Sequence, residues 1–207
     1  MGLSGKKLLV LGANPETAGF VIKAREMGVF TIVTDYDPHA CAKKYASKSY
    51  NIDAIDVEAL YQMAVDEQVD GVMVGVAEAL LPAYEQLCAR LGVPCFGNMQ
   101  LFDLLTDKSK FKSACREHGI PVVKEFSLSA EPSEDELAGI SLPVVVKPVD
   151  NRSSRGISVC RTRQELGCGV KKALDYSKSK KIIVEKYMTG DEVVIYYIIQ
   201  DGEPFLA

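Results

Sequence analysis

The chain has 207 residues, 47% of them hydrophobic, which is enough for one large or two small domains. A net charge of -4 at pH 7 provides no bulk basic field for nucleic acid, and no apolar run is long enough to cross a bilayer. The N-terminus lacks the apolar core of a signal peptide, so we expect a cytoplasmic protein with neither a nucleic-acid nor a membrane partner. Two histidines and the lack of a Cys-x-x-Cys pair argue against a zinc site, so no metal ligand is assigned.

The first half of the sequence alternates between strand and helix patterns. Short apolar runs predict strands at 6–12, 30–35, 69–75 and 93–97. Amphipathic patterns with start and stop residues predict helices at 15–28, 56–68 and 77–92. Apolar strands joined by helices are typical of a parallel sheet covered on both faces. The fold class predicted here is therefore α/β with a Rossmann-like N-terminal domain.

The pattern changes after two further helical stretches, at 99–106 and 107–120. Strand patterns then follow one another with few helices between them, and Asp201-Gly202 predicts a hairpin turn. We therefore predict a smaller, mostly antiparallel α+β unit that begins near Pro121. The N-terminal domain with its linking helix is assigned to residues 1–120.

The loop after the first strand raises the question of a dinucleotide site. Gly12 opens a helix whose N–H groups can face an anion, and Asp35 follows the second strand, where such folds hold a ribose. However, Asn14 occupies the third position of the Gly-x-Gly-x-x-Gly pattern. Three interpretations of this loop stay open. It is a plain strand-to-helix turn, it lines another ligand, or it belongs to an NAD-binding Rossmann protein.

Lys147 ends the apolar strand pattern at 142–149. Because side chains alternate along a strand, we expect Lys147 to share a largely apolar face with Val145, where an ammonium needs an anionic partner such as phosphate. The polar loop that follows offers hydroxyls, N–H groups and positive charge from Arg152, Ser153, Ser154, Arg155 and Gly156. The alternative is a lysine that reaches solvent beside an ordinary turn.

A later strand ends in a second polar cluster. Glu185, Tyr187 and Met188 follow an apolar run, and Glu192 comes after a turn at Gly190. Such a segment can present backbone groups to the edge of an adenine and a carboxylate to ribose hydroxyls. The alternative is a surface charge cluster at a strand end.

These motifs occur in a recognisable order. "TDKSKFK", "VVVKPVDNRSSRGISV" and "VEKYMTGDEV" follow a Rossmann-like domain, and together they resemble the ATP-grasp superfamily. The N-terminal stretches "NIDAIDVEALYQMAVDEQVDGVMVG" and "LCARLGVPCFG" look most like the carbamoyl-phosphate synthase large-chain and biotin carboxylase branch. The resemblance implies an ATP-grasp lid at 121–187 and the first strands of an incomplete C-terminal subdomain at 188–207.

The resemblance also implies the ATP contacts. Lys108 and Lys147 match lysines that contact phosphate. The other implied contacts are Ser153, Ser154 and Gly156 around the phosphates, Glu185, Tyr187 and Met188 around adenine, and Glu192 at the ribose. Arg152 and Arg155 replace the small residues that are usual in the family loop. The catalytic residues are left unassigned.

The family reaction uses ATP and Mg²⁺ to activate a carboxylate as an acyl phosphate, which an amine then attacks. In the family, the Mg²⁺ ligands lie on later strands, so we expect them beyond residue 207 and expect this chain to be an inactive front part of a ligase. The substrate is left open among an amino acid, a peptide, a purine precursor and bicarbonate. Asn14 and residues 75–78 are the candidates to line the substrate site. A homodimer and a non-catalytic nucleotide-binding or regulatory module also stay open.

Overall fold

The computed structural model describes residues 2–128, 132–150 and 155–206. The chain divides into two compact units, Met1–Asp107 and Lys108–Ala207. The helix that the sequence analysis assigned to the first domain thus lies in the second unit, and the finer domain bounds remain a prediction. Within the described ranges, no helix has the length and apolar character needed to cross a bilayer.

The first unit is built on a parallel sheet with the strand order β3-β2-β1-β4. Its strands are β1 (Lys7–Leu11), β2 (Phe30–Thr34), β3 (Lys48–Tyr50) and β4 (Gly71–Val74). Its helices are α1 (Pro15–Glu26), α2 (Val57–Asp66), α3 (Leu81–Leu91) and α4 (Met99–Thr106), with short 3-10 turns at Cys41–Tyr45 and Glu78–Leu80. Strand β3 was not predicted, because its three residues are polar or only half-buried and form no apolar run.

Both faces of this sheet are buried, as the apolar strand patterns predict. On one face, Leu9, Leu11 and Ile32 pack in a cluster with Leu60 of α2 and Leu87 of α3. The other face carries a second cluster, formed by Val10, Ala13, Ala18, Val21, Val33 and Ala42. Each buried aliphatic side chain contributes about 1.5–3 kcal/mol relative to an exposed one.

Local signals set most helix ends in this unit. Asn14 and Asp56 cap α1 and α2 by accepting hydrogen bonds from Thr17 N and Ala59 N. Gly92 ends α3 with a φ of +67°, which glycine adopts without strain.

The strand predicted at 93–97 is wrong. This segment is irregular, and Pro94 has no N–H with which to join a ladder. The Phe96 ring stacks on Tyr84 at 5.0 Å between centroids and meets Phe102 edge-on at 5.4 Å. Aromatic packing thus takes the place of strand pairing here.

The second unit contains an antiparallel sheet with the strand order β5-β8-β6-β7. Its strands are β5 (Glu125–Phe126), β6 (Val144–Pro148), β7 (Ser158–Cys160) and β8 (Ile182–Lys186), and its helices are α5 (Lys108–Glu117), α6 (Glu134–Ala138) and α7 (Arg163–Tyr176). Strands β9 (Tyr197–Gln200) and β10 (Glu203–Leu206) form an exposed hairpin that turns at the predicted Asp201-Gly202. The predicted α/β fold with an antiparallel second half is confirmed.

Helix α7 lies close to the sheet because of one glycine. A Cβ at Gly169 would lie 2.8 Å from Cys160 Sγ and 3.2 Å from Ser158 Cβ. Glycine in a helix interior is locally unfavourable, so a contact must account for its presence here. The structure shows that Gly169 permits close contact with β7, whereas a Cβ at Gly167 meets nothing within 4 Å.

Replacing each of these glycines by alanine separates the two effects. Alanine favours a helix by about 1 kcal/mol over glycine, whereas overpacking costs about 1–3 kcal/mol. We expect Gly169→Ala to lower the free energy of unfolding by up to about 2 kcal/mol and Gly167→Ala to raise it by up to about 1 kcal/mol. Urea denaturation followed by circular dichroism measures both, and equal stabilisation by the two substitutions would contradict the close packing.

Candidate functional site

Strand β6 separates the core of the second unit from a charged face. Val144 and Val146 are fully buried in the hydrophobic cluster that includes helix α7. Val145 and Lys147 alternate with them and face the other way. Val145 pairs with Glu185 of the adjacent strand β8, and the Lys147 Nζ atom lies 2.6 Å from Glu185 Oε2. The partner of the Lys147 ammonium is therefore a carboxylate of the chain itself.

Helix α5 brings three more cations to this face. Lys108, Lys112 and Arg116 are spaced four residues apart, so they share one side of the helix. The Lys112 ammonium pairs with Glu185 Oε1 and lies 3.1 Å from Glu125 Oε1. Arg116 pairs with the other Glu125 oxygen, and Lys108 Nζ donates to the Val149 carbonyl at 3.4 Å. We call Lys108, Lys112, Arg116, Glu125, Lys147 and Glu185 the charge cluster.

The centre of the charge cluster is largely removed from water, whereas Arg116 at its edge is exposed. The exposed side-chain fractions are 8% for Glu185, 13% for Lys112 and 21% for Lys147. Burial, together with the charges of Lys112 and Lys108, lowers the pKa of Lys147 to about 8. Burial and the charge of Arg116 likewise lower the pKa of Lys112 to about 8. The Glu185 carboxylate opposes both shifts, since it favours the ammonium forms.

The balance of charge in the cluster suits an anion. Of the six side chains in this set, four are cationic and two are carboxylates, so the set itself carries more positive than negative charge. An anion placed near Lys147 and Lys108 would offset the like-charge repulsion that lowers the pKa of Lys147. A polyphosphate has the required sign and charge density.

The end of β8 lies beside this cluster. Lys186 N donates to Lys124 O at 2.9 Å and Tyr187 N to Pro143 O at 3.0 Å, so neighbouring segments already use these two N–H groups. Met188 is 66% exposed, and the Arg161 guanidinium lies 5.7 Å from the Tyr187 ring centroid. Glu192 is exposed in the irregular segment that leads to β9.

The loop after β6 is anchored at both described ends. Gly156 has a φ of +79°, and a Cβ there would lie 2.7 Å from Tyr176 Cβ and 2.8 Å from Pro148 Cγ. Asp150 accepts hydrogen bonds from Ser177 Oγ and Ser179 N at 2.9 and 2.6 Å. The predicted phosphate contacts Ser153 and Ser154, and Arg152, lie outside the described residues.

The structure thus brings Lys108, Lys147 and Glu185 of the predicted site residues together. Sequence reasoning missed Lys112, Arg116 and Glu125, which complete the cluster. The four-residue spacing of the basic side chains along α5 was the signal that could have found the first two. Glu125 carries no such signal, because its position depends on the pairing of β5 with β8.

In the first unit, the predicted loop residues have structural partners. Asp35 accepts hydrogen bonds from Ala13 N at 2.9 Å and Asp37 N at 3.0 Å, so it fixes the β1–α1 loop. The Asn14 side chain accepts from both Thr17 N and Thr17 Oγ1 as it caps α1. A Cβ at Gly75 would lie 2.3 Å from Thr17 Oγ1, so this glycine permits close approach of the β4 end to α1.

Comparison with known proteins identifies the second unit. Residues 114–205 match the family model described as the D-ala D-ala ligase C-terminus, an ATP-grasp domain. This stretch, which makes up less than half of the chain, is therefore similar to an ATP-grasp domain. The resemblance seen in the sequence is thereby confirmed.

Solved ATP-grasp structures share the fold over nearly the whole chain. Biotin carboxylase from Campylobacter jejuni has a TM-score of 0.71 and 21% identity, covering 89% of this chain and 45% of its own. N5-carboxyaminoimidazole synthetase from Staphylococcus aureus, solved with ADP, has a TM-score of 0.73 and 20% identity, covering 94% of this chain and 49% of its own. At these identities the structures establish the ATP-grasp fold.

Sequence relatives cover the same region. The formate-dependent phosphoribosylglycinamide formyltransferase of Bacillus velezensis is 28% identical over 208 residues, spanning 98% of this chain and 54% of the relative. That of Methanocaldococcus jannaschii is 27% identical over 193 residues. The chain spans about half the length of the curated relatives it matches. The narrower likeness to carbamoyl-phosphate synthase stays a prediction.

The charge cluster makes a specific prediction for Glu185→Gln in this ATP-grasp unit. The substitution leaves Lys112 and Lys147 facing each other without their shared anion. Breaking a buried ion pair by removing one partner costs about 3–5 kcal/mol, so we expect a loss of about 3 kcal/mol in the free energy of unfolding at pH 7. Guanidinium denaturation measures it, with Glu117→Gln, an exposed carboxylate of α5, as the matched control. Equal effects of the two substitutions would contradict a structural role for the buried pair.

Proposed function

We propose that this chain is the ATP-binding N-terminal part of an ATP-grasp ligase that activates a carboxylate, or bicarbonate, as an acyl phosphate for attack by an amine. The observation that carries the proposal is the charge cluster, which joins Lys108, Lys147 and Glu185 at the end of β8 and holds an excess of positive charge. The similarity of residues 114–205 to an ATP-grasp domain supports the same proposal.

We assign the described site residues to the phosphates, the adenine and the ribose of ATP. Lys108 and Lys147 would contact the phosphates, and Gly156 would let the following backbone approach them. Tyr187 and Met188 would meet adenine. Because the Lys186 and Tyr187 N–H groups are already used, Met188 is the residue whose backbone we assign to the adenine edge. Glu185 would hold Lys147 beside the nucleotide, and Glu192 would accept the ribose hydroxyls.

In the proposed reaction, a carboxylate oxygen attacks the γ-phosphorus of ATP and ADP leaves. An amine nitrogen then attacks the acyl carbon, and phosphate departs. The lysines would stabilise charge on the transferring phosphoryl group. Magnesium would supply further charge neutralisation. The described residues contain no group of three or more His, Cys, Asp or Glu side chains placed for a metal ion, so the proposal places its ligands outside them.

The relatives suggest which substrates to test. The matched proteins include a formate-dependent phosphoribosylglycinamide formyltransferase, an L-amino acid ligase and a biotin carboxylase domain dimer solved with MgADP and bicarbonate. We therefore propose formate, bicarbonate and amino acids as the first carboxylates to assay. A homodimer of the whole protein is part of the same proposal.

The Lys147→Ala substitution tests the proposed site. Charge-assisted hydrogen bonds contribute about 1.5–3 kcal/mol, so we expect the variant to bind ATP roughly tenfold to a hundredfold more weakly. Isothermal titration calorimetry of ATP against the chain gives both dissociation constants. Lys171→Ala, an exposed lysine of α7 with the same change in charge, is the control and should leave the affinity unchanged. Undiminished binding by Lys147→Ala would overturn the assignment.

Two assays separate the alternative functions. An NAD-binding Rossmann protein would change NADH fluorescence in a way that depends on Gly12 and Asp35. A regulatory nucleotide-binding module would bind ATP without turnover in any longer protein that contains this chain. ATP-dependent phosphate release by such a protein, stimulated by one of the three carboxylates, would support the ligase.

A further inference from the structure

Lys112 lies at the centre of the charge cluster, yet none of the predicted ATP contacts includes it. Its ammonium bridges two carboxylates on neighbouring strands, Glu185 of β8 and Glu125 of β5. It is more buried than Lys147, with 13% of its side chain exposed against 21%. A lysine in such a place either has a structural role alone or also controls the ionisation and position of the charged side chains around it.

The two oxygens of Glu185 are divided between the two lysines. Oε1 faces Lys112 and Oε2 faces Lys147. When Lys147 turns to an ATP phosphate, its contact with Oε2 weakens. A buried carboxylate that loses its counterion is strongly destabilised, so a second cation must remain on Glu185. Lys112 occupies that place, and its second partner Glu125 holds it there.

We propose that Lys112 is a positioning residue, which keeps Glu185 charge-compensated and in place so that Lys147 can engage the phosphates of ATP. This inference rests on the proposed function, since it assigns the nucleotide phosphates to Lys147. It assigns Lys112 no contact with the nucleotide.

The charges around Lys147 predict the direction in which its pKa changes when Lys112 is removed. Glu185 faces Lys147 from β8, while Lys108 and Lys112 face it from α5, and Glu125 and Arg116 lie behind Lys112. Because Lys112 is a like charge that lowers the pKa of Lys147, its removal should raise that pKa above about 8. ATP binding needs the ammonium form, so affinity should fall as pH rises through about 8 in the unsubstituted chain. In Lys112→Met, the fall should move to higher pH.

The experiment combines nucleotide affinity with a direct titration. We would measure ATP and adenosine binding calorimetrically between pH 7 and 10, and follow the Lys147 side-chain resonances by NMR over the same range. The variants are Lys112→Met, Lys112→Arg and the control Lys110→Met, an exposed lysine on another side of α5. For Lys112→Met at pH 7, we expect about tenfold weaker ATP binding, because Lys147 must then stay on Glu185 as its counterion. Adenosine affinity should change by less than about twofold, because adenosine carries no charge for the cluster to act on.

The conservative variant and the control complete the test. Lys112→Arg keeps the charge and can bridge two carboxylates, so it should restore ATP affinity to within about twofold. Lys110→Met should match the unsubstituted chain. Equal weakening of ATP and adenosine binding by Lys112→Met would indicate a purely structural role and overturn the proposal. Weaker ATP binding with an unchanged pKa of Lys147 would indicate direct contact with the nucleotide and overturn it too.

Failure of the proposed function is distinguishable from failure of this inference. If the unsubstituted chain binds no ATP, the proposed function fails. The NMR titration then still decides whether Lys112 controls Lys147, and an unchanged pKa in Lys112→Met overturns the inference. If Lys112→Met does not fold, the double variant Lys112→Met/Glu125→Gln also removes one of the two carboxylates that had paired with Lys112, and it carries the same titration.

Discussion

The buried carboxylate of Glu185 is the interaction on which the charged face of the second unit depends. Glu185 lies on β8, which pairs with β6 at the centre of the sheet. One of its carboxylate oxygens pairs with Lys147 and the other with Lys112. A carboxylate and two ammonium groups at this depth are stable only as a set, because each alone would carry a large desolvation cost. The set therefore ties helix α5 to β5 and β8 through ion pairs between side chains.

The position of this set depends in turn on close packing beneath it. Val144 and Val146 hold β6 in the hydrophobic core, so Lys147 must face the opposite side. Gly169 lets α7 approach β7, and Gly156 lets the loop after β6 return over Pro148 and Tyr176. A Cβ at Gly156 would meet the ring of Pro148, the residue after the lysine, and a Cβ at Gly169 would meet Cys160 and Ser158 of β7. Strand β6 thus contributes to both the hydrophobic core, through Val144 and Val146, and the charged face, through Lys147.

The excess of positive charge connects this arrangement to the proposed function. The set contains four cationic side chains and two carboxylates, and its excess of positive charge is why we propose a nucleotide phosphate as its ligand. In the first unit, Asp35 and Asn14 tie the loops at the carboxyl edge of the parallel sheet to the backbone.

The sequence alone determined the layout of the elements. Alternating apolar runs, the caps at Asn14 and Asp56, the stop at Gly92 and the turn at Asp201-Gly202 are local signals, and the structure follows them. The order of the lysine, loop and hinge motifs also sufficed to indicate the superfamily. Tertiary structure alone decided the rest: Glu125 and Glu185 lie 13 and 73 positions from Lys112, and their ion pairs exist only because β5, β8 and α5 converge. Strand β3 and the aromatic segment around Phe96 escaped prediction for the same reason, since strand pairing and ring stacking depend on neighbours that the local sequence does not contain.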